Sequence, residues 1–186
     1  MPDMDVIETA EERMQKTLQA LRKDLSTIRA GRAMPGLLDK ITVDYYGQPT
    51  PINQMAGVNV PDARTIIIQP WDKSTLKTIE KAIQASDLGI NPQNDGVVLR
   101  LIIPPLTEQR RRELSKMVEK NGEEAKVALR NIRRDANDDT KKQQKAGEIT
   151  EDDEKEVLEE IQKLTEKYIK EVDSIIDTKK KEIMEV

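Results

Sequence analysis

The sequence lacks two residue types on which enzymes most often depend. Its 186 residues include no cysteine and no histidine. Without cysteine the chain has no disulfide and no thiolate nucleophile. Without histidine it lacks the commonest general base at neutral pH and the commonest metal ligand. No glycine-rich phosphate loop is present either. These absences favour a binding or mechanical protein over an enzyme, and they predict no catalytic residue, cofactor or metal.

Aromatic residues and long apolar runs are also scarce. The aromatic residues are Tyr45, Tyr46, Trp71 and Tyr168. The large core residues must therefore be Leu, Ile, Val and Met, which suits packed helices. For Tyr45, Tyr46 and Trp71 we favour packing in a core over stacking on nucleic-acid bases, because few basic residues surround them. No apolar run approaches the roughly 18 residues of a membrane span, and the acidic N-terminal stretch lacks the apolar part of a signal peptide. We therefore expect a cytoplasmic protein.

Three segments show helical periodicity. Apolar residues recur at steps of three and four in residues 4–30, after Thr107 and after Thr150. Thr107 and Thr150 are predicted N-caps, and Gly147 is a predicted helix stop. The predicted inward faces are Met14, Leu18, Leu21, Leu25 and Ile28; then Leu114, Val118, Asn121, Ala125, Ala128 and Ile132; then Val157, Ile161, Leu164, Tyr168, Val172 and Ile175. Three such stripes predict a long antiparallel three-helix bundle.

The region between the first two helices has another pattern. Short β-branched runs predict strands at 41–47, 64–70 and 97–103. Between the last two, Asp72 can cap a helix that continues to about Ser86, with Leu76, Ile79 and Ile83 facing inward. The predicted fold is therefore an α+β protein of two domains. A discontinuous bundle (1–30 and 106–186) carries an inserted small β/α/β domain (31–105).

The chain enters and leaves the predicted insert through residues that interrupt regular structure. They are Gly31, Pro35 and Gly36 on one side and Pro104 and Pro105 on the other. Because two domains connected by two crossings often move relative to each other, these residues are candidate hinges. They are interpreted equally well as ordinary loop residues that end regular secondary structure.

Charge is divided unevenly between the last two helices. The whole chain has a formal net charge of −4. Residues 107–146 hold 12 basic and 8 acidic side chains, whereas residues 147–186 hold 7 and 14. The acidic cluster at 148–156 suits the N-terminus of a helix better than a metal site, which needs converging carboxylates on a loop.

The basic helix concentrates arginine in LRNIRRDAND (129–138). On a helical wheel Arg130, Arg133 and Arg134 lie away from the apolar stripe, and Lys126 falls on the same basic face. A solvated helix face is the simplest interpretation. The use of arginine rather than lysine at these positions favours phosphate binding, because the planar guanidinium group matches phosphate oxygens. Arg29 and Arg32 form a second cluster at the end of the first helix. Binding of folded RNA would suit these residues, and a protein-binding coiled-coil arm is the alternative.

Four stretches resemble the ribosome recycling factor family: IRAGRAMPGLLDKITVDYYGQPTPI (28–52), KAIQASDLGINP (81–92), RLIIPPLTEQRR (100–111) and VALRNIRRDAND (127–138). The resemblance covers essentially the full length and is that of the bacterial type. It implies an L-shaped molecule of transfer-RNA-like dimensions, with the smaller domain joined by flexible hinges.

The resemblance also implies a function without catalysis. Such a factor binds the large ribosomal subunit after termination, and with elongation factor G and GTP it splits the ribosomal subunits. The family's contacts to ribosomal RNA map onto Arg29, Arg32, Arg130, Arg133 and Arg134, of which Arg133 is the first candidate. The implied partners exclude DNA and membranes, and the implied state is a monomer.

Overall fold

The structure is a computed structural model that describes residues 4–28 and 31–185. The chain forms two compact units. The helical unit comprises Met1–Arg29 and Thr107–Val186, and the inserted unit comprises Ala30–Leu106. The helices are α1 (Met4–Ser26), α2 (Leu76–Ala85), α3 (Glu108–Lys145) and α4 (Glu151–Met184). The strands are β1 (Thr42–Tyr45), β2 (Gln48–Pro51), β3 (Ala56–Asp62), β4 (Thr65–Pro70), β5 (Gln93–Asn94) and β6 (Leu99–Ile102).

The helical unit is an antiparallel three-helix bundle, as predicted. Helix α3 packs along both α1 and α4. Its ion pairs with α4 join Glu119 to Lys180 and Lys126 to Asp173, so the two helices run in opposite directions. The α1 residues predicted to face inward are buried, although α1 ends at Ser26, earlier than predicted.

The predicted helix ends of α3 and α4 are confirmed. Thr107 Oγ1 accepts a hydrogen bond from Arg110 N at 3.1 Å. Thr150 Oγ1 accepts one from Asp153 N at 3.0 Å, and Asp153 Oδ2 accepts one in return from Thr150 N, so the pair forms a capping box. Gly147 follows α3 with a φ of 77°, a conformation that favours glycine after a helix. The acidic cluster at 148–156 therefore contributes to this cap.

The buried stripe of α3 differs in part from the prediction. Its members are Leu114, Val118, Gly122, Ala125, Leu129, Ile132, Ala136 and Thr140. The prediction instead contained Asn121 and Ala128, which are only half-buried. The prediction alternated steps of four and three, whereas the buried residues include two consecutive steps of four, from Leu114 to Val118 to Gly122, which shift the stripe around the helix. On α4, Leu164 and Ile175 are likewise half-buried, and Thr165 and Ile183 are buried.

The inserted unit contains two small sheets and one helix. Strands β1 and β2 form an antiparallel hairpin, and the four-stranded antiparallel sheet has the order β3-β4-β6-β5. The hairpin turns through Tyr46 (φ 50°) and Gly47 (φ 83°), which is the left-handed pair that a tight two-residue turn requires. The predicted strands at 41–47, 64–70 and 97–103 correspond to β1, β4 and β6, whereas β2, β3 and β5 were not predicted.

One face of the four-stranded sheet packs into a core and the other faces solvent. Ile66 and Ile68 of β4 and Leu99 and Leu101 of β6 are fully buried. They share a core with Leu76, Ile79 and Ile83 of α2, the residues predicted to face inward from that helix. On the opposite side of the sheet, Arg100 and Ile102 of β6 are exposed.

Candidate nucleic-acid interface

The arginines in the C-terminal half of α3 are oriented by the buried residues next to them in the sequence. Leu129 is 0% exposed and Ile132 is 5% exposed, so both point into the bundle. Arg130, which lies between them in the sequence, and Arg134 are exposed. Arg133 is half-buried and lies toward α4. The guanidinium groups of Arg130 and Arg134 therefore face water, whereas that of Arg133 lies at the border between α3 and α4.

Arg133 is held by a relay of side chains on α4. Its Nη1 donates a hydrogen bond to Gln162 Oε1 at 3.2 Å. Gln162 Nε2 in turn donates to Glu166 Oε1 at 3.0 Å. Because the amide donates to Glu166, its oxygen faces Arg133. The wheel alone did not reveal this contact, since it places residues relative to one helix and carries no information about a neighbouring one.

Arg130 and Arg134 differ from the cations that join helices of the bundle. Within residues 4–28 and 31–185, neither side chain forms an ion pair or a hydrogen bond. Elsewhere cations meet carboxylates on other helices, as in the pair between Arg13 Nη1 and Asp135 Oδ2 at 3.1 Å. Two exposed guanidinium groups without a carboxylate partner can donate hydrogen bonds to phosphate oxygens without first breaking an internal contact.

Lys126 does not belong to this exposed surface, contrary to the position that the wheel gives it. Its Nζ lies 2.6 Å from Asp173 Oδ1 of α4 and 3.7 Å from Glu123 Oε1. The hydrogen bond to Asp173 is the main reason why the pKa of Lys126 is raised, and partial burial opposes it. Lys126 thus joins α3 to α4 and does not belong to the exposed basic surface around Arg130 and Arg134.

Two of the three arginines that open α3 have partners on their own helix. Arg110 Nη1 lies 3.1 Å from Glu113 Oε2, and Arg112 Nη2 lies 2.6 Å from Glu108 Oε1. These pairs offset the unfavourable placement of positive charge at a helix N-terminus. This part of the helix therefore supplies less free positive charge than its sequence suggested.

The second predicted arginine cluster is only partly described. Arg29 lies outside the residues that the structure describes. Arg32 is exposed in the inserted unit and has an interaction of its own. The contribution of both to an RNA interface stays a prediction.

The candidate hinge residues are placed in different surroundings. Gly31 has a φ of 71°, and a Cβ there would lie 2.9 Å from Leu106 Cγ. Pro35 and Gly36 belong to a short 3₁₀ helix, Pro35–Leu38, whose Leu38 is buried in the core of the inserted unit. Pro104 and Pro105 are exposed in the extended segment between β6 and α3.

Two backbone hydrogen bonds hold the ends of the inserted unit. Ala33 N donates to Ala63 O, and Ile103 N donates to Arg64 O, each at 2.7 Å. Both ends are thus fixed to the turn between β3 and β4. Ala33 and Ile103 are therefore tied to the inserted unit by their backbone.

The expectation that Tyr46 and Trp71 pack in a core is wrong. Tyr46 is 82% exposed and Trp71 is 70% exposed, whereas Tyr45 is half-buried and meets the Tyr46 ring edge-on at 4.5 Å. Tyr46 is carried outward by the hairpin turn. Trp71 follows β4 on the open side of the sheet, where a Cβ on Gly57 would lie 4.0 Å from its Nε1.

Comparison with known proteins identifies the family. The family model described as ribosome recycling factor matches residues 21–184. The chain belongs to the ribosome recycling factor family. It is 60% identical over 182 residues to the ribosome-recycling factor of Halalkalibacterium halodurans. The matched residues make up 98% of this chain and 98% of the relative. It is 61% identical over 181 residues to that of Geobacillus kaustophilus, covering 97% of this chain and 98% of the relative.

Solved structures of this family have the same fold. A solution structure of the ribosome recycling factor matches with a TM-score of 0.76 at 41% identity, covering 98% of this chain and 97% of the other. A second match, at 45% identity with a TM-score of 0.64 and full coverage of both chains, is the Thermus thermophilus ribosome recycling factor. Its title describes models of that factor and E. coli elongation factor G bound to the E. coli post-termination complex. The predicted family is thereby confirmed.

No helix in residues 4–28 or 31–185 combines the length and the apolar character needed to cross a membrane.

Proposed function

We propose that this protein recycles ribosomes after termination. It binds the large subunit of the post-termination ribosome and, with elongation factor G and GTP, splits the subunits for a new round of translation. Membership of the family supports this function, as does the relative whose title places it with elongation factor G on a post-termination complex. The protein would act in the cytoplasm as a monomer, on ribosomes rather than on DNA or membranes.

The proposed surface that binds ribosomal RNA is the C-terminal half of α3. Arg130, Arg133 and Arg134 would contact phosphates, with Arg29 and Arg32 adding further contacts. The observation that carries this assignment is that Arg130 and Arg134 are exposed and, within the described residues, without a carboxylate partner. Guanidinium groups match phosphate oxygens in geometry, and such contacts bind RNA through its shape more than its sequence.

The protein would act by mechanics rather than by catalysis. Three long packed helices form a stiff body that can transmit a push, because packing of their apolar faces supplies most of the stability of helices in proteins. Hinges at Gly31, Pro35, Gly36, Pro104 and Pro105 would let the two units reorient. The hydrogen bonds of Ala33 and Ile103 favour Gly31, Pro104 and Pro105 as the residues where bending occurs. Elongation factor G would supply the GTP hydrolysis, so the chain itself needs neither a catalytic residue nor a cofactor.

A subunit-splitting assay tests the function. Light scattering of post-termination ribosomes should fall when this protein, elongation factor G and GTP are all present, and should stay constant when any of them is omitted. Splitting without elongation factor G, or none with it, would contradict the proposal. Pelleting with large subunits at several salt concentrations separates RNA binding from docking on an apolar protein groove, because only RNA binding should weaken steeply as salt rises.

A further inference from the structure

We propose that Gln162 of α4 positions Arg133 for phosphate while leaving its charge available. The proposal rests on the proposed function, and it assigns a role to a residue outside the arginine cluster. Gln162 need not touch RNA itself. It is a positioning residue that acts through the guanidinium group of Arg133.

The contacts define how the side chain of Arg133 is held. Gln162 Oε1 accepts from Arg133 Nη1, and Glu166 Oε1 accepts from Gln162 Nε2. The bond to Glu166 fixes the orientation of the amide, so its oxygen rather than its nitrogen faces Arg133. Within the described residues this is the hydrogen bond that the Arg133 side chain forms. Most donors of the guanidinium fork therefore stay available to a ligand.

The neutral partner is unusual among the cations that cross between helices of the bundle. Other such cations face a carboxylate: Arg13 meets Asp135, Lys126 meets Asp173, Lys167 meets Glu11 and Lys180 meets Glu119. Arg133 instead meets an amide. A carboxylate would neutralise the charge that attracts phosphate, whereas an amide restrains the side chain and leaves that charge intact.

This arrangement matters for binding because a free arginine side chain loses conformational entropy when it is ordered on a ligand. Arg133 is half-buried and already restrained by one hydrogen bond, so part of that loss has occurred before RNA arrives. Arg130 and Arg134 have no such restraint within the described residues. The structure thus assigns one ordered and two adaptable arginines to the same helix.

The experiment compares Gln162→Glu, Gln162→Ala and Arg133→Ala in pelleting assays with purified large ribosomal subunits, over a range of salt concentrations. Gln162→Glu places a carboxylate beside Arg133. It should weaken binding roughly tenfold and reduce the slope of log affinity against log salt by about one. Gln162→Ala removes the restraint but not the charge. It should weaken binding about twofold with the slope unchanged.

Two controls separate this role from a structural one. Gln19→Glu makes the same charge change at an exposed position of α1 and should leave the slope unchanged. Thermal melting of Gln162→Glu should change little, because the exposed ion pair that it adds with Arg133 offsets the lost hydrogen bond to Glu166 and the repulsion between the two carboxylates. In the Arg133→Ala background, Gln162→Glu should cause no more loss of binding than Gln19→Glu does.

The outcomes distinguish this inference from the function on which it rests. If Arg133→Ala leaves subunit binding unchanged, the proposed RNA-binding surface is wrong. If Arg133→Ala weakens binding but Gln162→Glu does not, the proposed RNA-binding surface is retained and the role of Gln162 is overturned. An equal loss from Gln162→Glu with and without Arg133 would also overturn it.

Discussion

A Cβ atom placed on Gly122 of α3 would lie 2.7 Å from Cγ1 and 2.9 Å from Cδ1 of Ile176 on α4. Both distances are shorter than real side chains tolerate. Ile176 cannot easily move away, because a β-branched side chain in a helix has one strongly preferred rotamer. Gly122 therefore lets α3 and α4 approach closely at the middle of their contact.

Replacing Gly122 by alanine should lower stability despite the better helix propensity of alanine. Propensity favours alanine by about 1 kcal/mol, but overpacking costs about 1–3 kcal/mol. We expect a net loss of roughly 1 kcal/mol in the free energy of unfolding, measured by urea titration. In an Ile176→Ala background the clash is absent, and Gly122→Ala should then stabilise the protein. The same sign in both backgrounds would contradict the packing argument.

Replacing Arg130 and Arg134 by alanine should weaken binding to large subunits without loss of thermal stability. Both side chains are exposed, and within the described residues neither has a partner to lose. Each substitution should reduce the salt slope by about one, as expected when one phosphate contact is removed. Arg22→Ala, which removes the same charge from an exposed position of α1, is the control and should leave binding unchanged. A fall in melting temperature with normal binding would instead indicate a structural role.

Trp71 should contribute little to stability for so large a residue. Its side chain is 70% exposed, so Trp71→Ala should cost less than about 1 kcal/mol of the unfolding free energy. Ile68, three residues earlier on β4, is 0% exposed, and Ile68→Ala should cost about 2–5 kcal/mol. Urea titrations of both variants measure the difference. A loss for Trp71→Ala as large as that for Ile68→Ala would show that the indole packs against more than the open sheet.

The features that the sequence predicted well depend on local chemistry. The caps at Thr107 and Thr150 follow from one side chain and the next turn of backbone, and the inward face of α2 follows from helical period. Features that depend on a neighbouring element were missed. Gly122 is buried because Ile176 of α4 lies against it, and the wheel of α3 could not show the bond between Arg133 and Gln162. Strand β3 was not predicted because it contains Gly57 and Pro61, residues typical of loops. It forms because β4 pairs with it, with a bulge between Asn59 and Asp62.

Replacing Pro104 and Pro105 by alanine should alter splitting more than binding. Both residues are exposed and follow Ile103, whose N–H is bonded to Arg64 O, so the inserted unit keeps its core while the connection gains conformational freedom. We expect unchanged pelleting with large subunits and a splitting rate, measured by light scattering with elongation factor G and GTP, that differs at least about twofold from wild type. Pro49→Ala, on exposed strand β2, is the matched control and should split normally. Equal splitting rates for all three proteins would argue against a hinge at this connection.

The capping box of α4 should make stability depend on pH in a defined direction. The pKa of Asp153 is lowered mainly by the hydrogen bond from Thr150 N–H, and next by the bond with the Thr150 side chain. A carboxyl whose pKa is lower in the folded state stabilises the protein above its unfolded pKa, near 4, and loses this contribution as pH falls through the folded pKa. Asp153→Asn should therefore lower the unfolding free energy at pH 7, and the difference from wild type should shrink as the pH falls below about 4. Asp152→Asn, which changes the neighbouring first-turn acid but leaves the capping box, is the control and should show a smaller pH-dependent difference. Urea titrations at pH values from about 2.5 to 7 measure both, and a difference for Asp153→Asn that grows toward acid pH would reverse the assigned direction.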